Sequence, residues 1–136
     1  MASTAQWTAT PKIGSGVVAT ADTARSGTPT NVATVFTAGT NGSRIDNLGL
    51  VAIGTTVASM LRLWIYDGST YRLWREIPVQ AITPSASVPV WSYLLSSAQN
   101  GETLPLLLPT GYSLRATVND TQTASGINVI ARGGDF

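Results

Sequence analysis

The sequence predicts an all-β protein built as an antiparallel sandwich. Helical periodicity is almost missing, while Thr- and Val-rich stretches recur along the whole chain. Turn residues, chiefly Gly, Asn, Asp and Pro, interrupt those stretches at short intervals, which is the punctuation of a sandwich or barrel. A length of 136 residues with 43% hydrophobic content suits one core of ordinary size, and splitting it would leave two pieces too small to bury good cores.

Residues 1–12 are small and polar apart from Trp7 and reach Pro11, so they read as an extended N-terminal arm, with residues 13–136 as a single sandwich domain. Gly14-Ser15-Gly16 opens a strand at about Val17 to Ala21. The turn-like stretch Ser26 to Pro29 precedes a clear β run from Asn31 to Ala38. Thr40-Asn41-Gly42-Ser43 is an Asn-Gly turn of the hairpin kind, and Arg44 to Ile53 is the next strand. Met60 to Tyr66 alternates, with Leu61, Leu63 and Ile65 on one face and Arg62, Trp64 and Tyr66 on the other. Asp67 to Thr70 turns the chain and Tyr71 to Ile77 returns as a hairpin. Further strands are expected at about Val88 to Leu95, after a loop holding Pro84, and then at Leu104 to Leu108, Tyr112 to Val118 and Ile127 to Ala131. About eight strands in this length fit a double-sheet jelly roll; an immunoglobulin-like sandwich is the alternative.

Composition excludes much of enzyme chemistry. The chain has no Cys and no His, hence no thiol nucleophile, no imidazole base and no Cys/His zinc site. Charged residues are only 11%, the net charge is +1 and Lys12 is the single lysine, so no electrostatic case exists for nucleic acid or an anionic membrane. The first residues lack the basic start and apolar core of a signal peptide, and no apolar run is long enough to span a bilayer. A protein made in the cytoplasm, without a cofactor, is expected.

The most unusual feature is the hairpin face carrying Arg62, Trp64 and Tyr66, with Arg72, Trp74 and Glu76 beside it. Trp, Tyr and Arg dominate protein interfaces because each offers large area with a polar handle. If Leu61, Leu63 and Ile65 fill the core, this second face is covered by another chain, by the protein's own long loops, or by a sugar stacked on it. The first of these is the expectation adopted, with Trp7 of the arm as a further contact residue in a neighbour's groove.

The carboxylates Asp22, Asp46, Asp67, Glu76, Glu102, Asp120 and Asp135 form no evident acid–base pair of the glycosidase kind. Asp67 and Asp120 sit in turns, where Asp serves the backbone. A calcium site from Asp67, Asn119 and Asp120 lacks the ligand spacing of a known loop. Gly133-Gly134-Asp135-Phe136 matches a cyclic-dinucleotide synthase signature only in those four letters. Asn41 and Asn119 sit in glycosylation triplets that mean nothing without secretion, and Gly14-Ser15-Gly16 is too short to cradle phosphate.

An Ala/Thr-rich start leads into the stretches Gly16 to Thr28, Phe36 to Ile45, Leu61 to Gly68, Leu108 to Arg115 and Asn128 to Phe136. Taken together, the chain resembles the small β-sandwich structural proteins of tailed-bacteriophage virions, over nearly its whole length. The resemblance is to head decoration, or cement, proteins, and related jelly rolls occur in tail fibres and baseplates. It implies a non-enzymatic subunit on the capsid surface, a trimer or dimer of itself, that clamps neighbouring major capsid subunits. The competing expectation is a carbohydrate-binding adhesin using Trp64, Tyr66, Tyr71, Trp74 and Trp91.

Overall fold

The computed structural model describes residues 8, 10–96, 104–122 and 125–136. Among them are nine strands and no helix: β1 (Thr10–Val18), β2 (Ala33–Thr37), β3 (Ser43–Ala52), β4 (Ser59–Tyr66), β5 (Tyr71–Val79), β6 (Ser92–Ser96), β7 (Leu106–Leu108), β8 (Ser113–Val118) and β9 (Ile127–Asp135). One sheet has five strands in the order β1-β9-β3-β6, with β7 also paired to β3; the other has four, β2-β8-β4-β5. Every ladder between strands is antiparallel.

The pairing is nested. β1 lies on β9, β2 on β8, β3 on β6 and β7, and β4 on β5. A long hairpin rolled over on itself gives this arrangement, and it carries the chain from one sheet to the other at most of its connections. Alternation supplies the core between the sheets: Leu48 and Leu50 of β3 and Val129 and Ala131 of β9 meet Leu61 and Leu63 of β4 and Leu114, Ala116 and Val118 of β8. Trp91, just ahead of β6, belongs to the same cluster.

The β4–β5 hairpin forms where the alternation places it. The Asp67 carboxylate accepts the N–H groups of Ser69 (2.9 Å) and Thr70 (2.7 Å), and Gly68 takes the left-handed conformation at φ 102°.

Three boundaries differ from the sequence reading. β1 begins at Thr10, so Thr10, Pro11 and Lys12 belong to the sandwich and pair with Asp135, Gly134 and Gly133 rather than to an arm ending at residue 12. Proline is tolerated there because β1 is an edge strand. β6 starts only at Ser92, since Pro89 cannot donate to a ladder. β9 runs on through Gly133 and Gly134 to Asp135. At Gly133 a Cβ would collide with the Arg44 carbonyl, where the β3 register shifts between Ile45 and Asn47, so only glycine lets β9 pass this bulge.

Candidate interaction surfaces

Each sheet has one face in the core and one turned away from it, and the two outward faces are unlike. On the four-stranded sheet the outward face holds the hairpin residues expected to meet another chain. For Arg62 and Trp64 that expectation is corrected, since the protein itself covers both side chains. Trp64 is 0% and Arg62 1% exposed. The connection from β1 to β2, residues 19–32, runs over the face and is tied to β8 by the Ala21–Val118 bridge and the Asp22 N–H to Val118 carbonyl bond of 2.8 Å.

A guanidinium can be buried only if its donors are used. Arg62 donates from Nε to Glu76 Oε2 (3.1 Å), from Nη1 to the Asp22 carbonyl (3.2 Å) and from Nη2 to Asn119 Oδ1 (3.0 Å). Glu76 lies directly across the hairpin from Arg62 and also receives Arg25 Nε at 3.2 Å. Trp64 donates its indole N–H to Thr117 Oγ1 at 2.9 Å. The covering loop is itself organised by Asp22, whose carboxylate accepts the N–H groups of Ala24 (3.0 Å), Thr30 (2.6 Å) and Asn31 (2.9 Å). Burial acts to raise the Asp22 pKa, but these backbone hydrogen bonds outweigh it and hold the group below its ordinary 3.8.

Towards the hairpin turn the cover thins. Tyr66 and Tyr71 stack with centroids 4.4 Å apart, and Trp64 meets Tyr71 edge-on at 6.2 Å. Arg115 places its guanidinium 4.1 Å from the Tyr66 ring centre and donates to the Tyr71 hydroxyl at 2.8 Å. The aromatic faces are thus already occupied by the chain's own cation and by one another. Trp74 turns the other way and packs on the core, because the register between β4 and β5 shifts beside it. Of the expected contact residues, Arg72 alone is largely exposed. It borders an open groove of about 520 Å³ between the hairpin and Arg25, Ser26 and Thr28 of the covering loop. Trp7 lies outside the described residues.

Among the described residues no connection runs over the outward face of the five-stranded sheet, where Thr8 lies against Gly134 at one end. Its side chains stand in rows across the strands, as the ladder registers require. The central row is Ser15, Ile130, Gly49 and Leu94, on β1, β9, β3 and β6 in turn. One row on one side reads Ile13, Arg132 and Asn47; the row on the other side reads Val17, Asn128, Val51 and Ser92. Ile13 is 70%, Leu94 52% and Val17 48% exposed. Gly49 leaves a shallow depression between Ile130 and Leu94, and a Cβ built on it meets nothing within 4 Å. Arg132 is the one charged side chain in these three rows. The alternation of Ile13, Ser15 and Val17 with Gly14 and Gly16 was the sequence signal for this face: the glycines lie inward against Phe36 and Ala33 because no side chain fits there.

The acidic residues are dispersed. Asp135 is bound by Ser43 Oγ (2.5 Å) and Lys12 Nζ (3.2 Å), and the Ser43 bond leads the causes that lower its pKa against its partial burial. Asp46 pairs with Arg44 at 2.7 Å. Asp67 sits beyond one end of β4 and Asp120, bound to Ser59, at the other, so the structure does not bring Asp67, Asn119 and Asp120 together as a calcium site. Among the described residues no cluster of acidic side chains could hold a metal ion. Glu102 lies outside them. No protein family matches the sequence, and no characterised protein is similar to it.

Proposed function

We propose that this chain is a non-enzymatic structural protein of a tailed-phage virion, a jelly-roll decoration protein that binds the outside of the major capsid shell and stabilises it. The nested pairing of β1 with β9, β2 with β8, β3 with β6 and β4 with β5 supports the jelly-roll reading. The observation that carries the functional reading is the open outward face of the five-stranded sheet, with Ile13, Val17 and Leu94 exposed, on a sandwich that buries Arg62 and Trp64 on its other face. A cement protein needs a rigid body and a surface that is buried on assembly, and many modest contacts around a shell add up by avidity. Its partners in this reading are the major capsid protein and copies of itself.

The test is co-sedimentation of the purified chain with phage heads that lack their decoration protein. Retention with heads, and a higher melting temperature of the decorated shell, is the expected result. Free chain left in the supernatant at every concentration overturns the proposal.

One observation favours a second reading, a carbohydrate-binding module. The groove beside Arg72 is lined by Tyr71, two guanidinium groups and the hydroxyls of Ser26, Thr28, Ser69 and Thr70, and such donors suit sugar hydroxyls or carboxylates. Titration with neutral and acidic glycans, followed by chemical shifts of Tyr71 and Arg72, separates the two readings.

A further inference from the structure

From the outward face of the five-stranded sheet we infer that two copies of this chain pair face to face about a two-fold axis. The axis lies parallel to the strands, over the boundary between β9 and β3. The inference rests on the reading of the chain as a structural subunit, and it replaces the expected trimer through the hairpin with an isologous pair through the opposite sheet.

The argument is the self-complementarity of the rows. Rotation about that axis sets β9 of one copy over β3 of the other and β1 over β6. In the central row Ile130 then faces the depression at Gly49, and Leu94 faces Ser15. Each large side chain meets a small one, twice over, because the axis repeats every contact. In the neighbouring row Arg132 faces Asn47, whose amide oxygen accepts from a guanidinium, so Arg132 is not set against its own copy. Packed sheets cross at about 30°, and the central row, at the pivot, is least displaced by that angle.

Area fixes the strength expected. The long strands β1, β3 and β9 give a face about 30 Å long, at about 3.3 Å per residue, and about 15 Å wide across four strands about 4.8 Å apart. Two such faces bury on the order of 1,000 Å² in total, the lower bound for a specific interface. A face of that size suits a reversible pair rather than an obligate one.

The experiment uses the full chain. Light scattering and sedimentation equilibrium across a concentration series should show a monomer–dimer equilibrium. Gly49→Arg, where the backbone has room for a side chain, should keep the β-type circular dichroism and weaken the dimer by about 10-fold or more. Ser87→Arg, in an exposed loop, should leave it unchanged. The chain contains no cysteine, so a Ser15→Cys/Leu94→Cys variant adds the only thiols. Within one copy these positions are about 14 Å apart, three strand spacings, whereas across two faces packed about 10 Å apart they oppose each other. Both separations exceed the ~7 Å a disulfide bridges, so a bismaleimide too short to join the two thiols within one copy should give a covalent dimer. A chain that is monomeric throughout the series overturns the inference. So does an oligomer that ignores Gly49→Arg, or a chain that dimerises only after residues 1–7 are removed, since that result assigns the face to its own N-terminus. Heads play no part in these measurements, so loss of the dimer and loss of capsid binding are separate outcomes.

Discussion

The two outward faces of the sandwich invert what their side chains lead one to expect. The face of the four-stranded sheet carries Arg62, Trp64 and Tyr66, a set suited to exposure at an interface, yet Arg62 and Trp64 are among the most buried residues in the chain. The face of the five-stranded sheet carries Ile13, Val17 and Leu94 and lies open. What separates them is the path of one connection. The segment from β1 to β2 crosses the first face and brings a carbonyl and a carboxylate-organised loop to meet the guanidinium, while on the second the described residues leave the rows from Ile13 to Leu94 open and place Thr8 against Gly134 at one end. Exposure here is decided by satisfaction of polar groups and by loop routing, not by the hydrophobicity of the face.

The largest expected effect lies on the sealed face. Trp64→Ala should cost about 3–5 kcal/mol, the range for a buried aromatic truncated to Ala, and lower the melting temperature by many degrees. On the open face Leu94→Ser should change stability by no more than about 0.5 kcal/mol. Equal losses in thermal melts would abolish the distinction between the faces.

Next comes Glu76→Gln. Arg62 is held in the interior without its counter-charge in that variant, so chemical denaturation should show a loss of about 3 kcal/mol. Arg25→Ala removes a partner of the same carboxylate, but that side chain is 64% exposed, and the loss should be within about 1 kcal/mol.

The third test is pH. The Asp22 pKa is lowered on folding, so its contribution is present above the unfolded value of 3.8 and disappears as pH falls through the folded one. Acid should therefore loosen the cover over Trp64 before it melts the sheets. This is visible as a red shift of tryptophan emission below pH 3.8, with the far-ultraviolet dichroism still β-like. Asp22→Asn should destabilise by about 1–3 kcal/mol at neutral pH and by progressively less as pH falls below 3.8. The smallest effect is expected from Val17→Thr on the open face, within about 0.5 kcal/mol in either direction.

The strands were largely legible because alternation is a local signal. Leu61, Leu63 and Ile65 identified the core side of β4, and Asp67 to Thr70 identified the turn. The fate of the opposite side was not, since period two says which side chains point away from the core and nothing about what lies over them. The pair Arg62 and Glu76 was the available hint: two opposite charges facing each other across a hairpin beside a tryptophan suit a covered site as well as a wet one. Pro11 and the Gly133-Gly134 pair misled for the same reason. Each weakens a strand taken alone, and each is accepted because of where its strand lies, an edge for Pro11 and a bulge crossing for Gly133. Arg72 and the open face needed the covering loop to be placed before either could be read.

The place of β9 also governs how the molecule comes to exist. It is the last of the described strands to leave the ribosome, yet it sits inside the five-stranded sheet, with β1 on one side and β3 on the other. Thr10 pairs with Asp135 across nearly the full length of the chain. Until β9 arrives, β1 and β3 each present an unpaired edge, and no local contact substitutes for it. Folding of the five-stranded sheet is therefore deferred until β9 has been made and is limited by closing the long loop between β1 and β9. During that interval the nascent chain carries two open strands that another copy could join, so the crowding of a polysome, rather than heat or acid, is the condition under which this sandwich is most vulnerable.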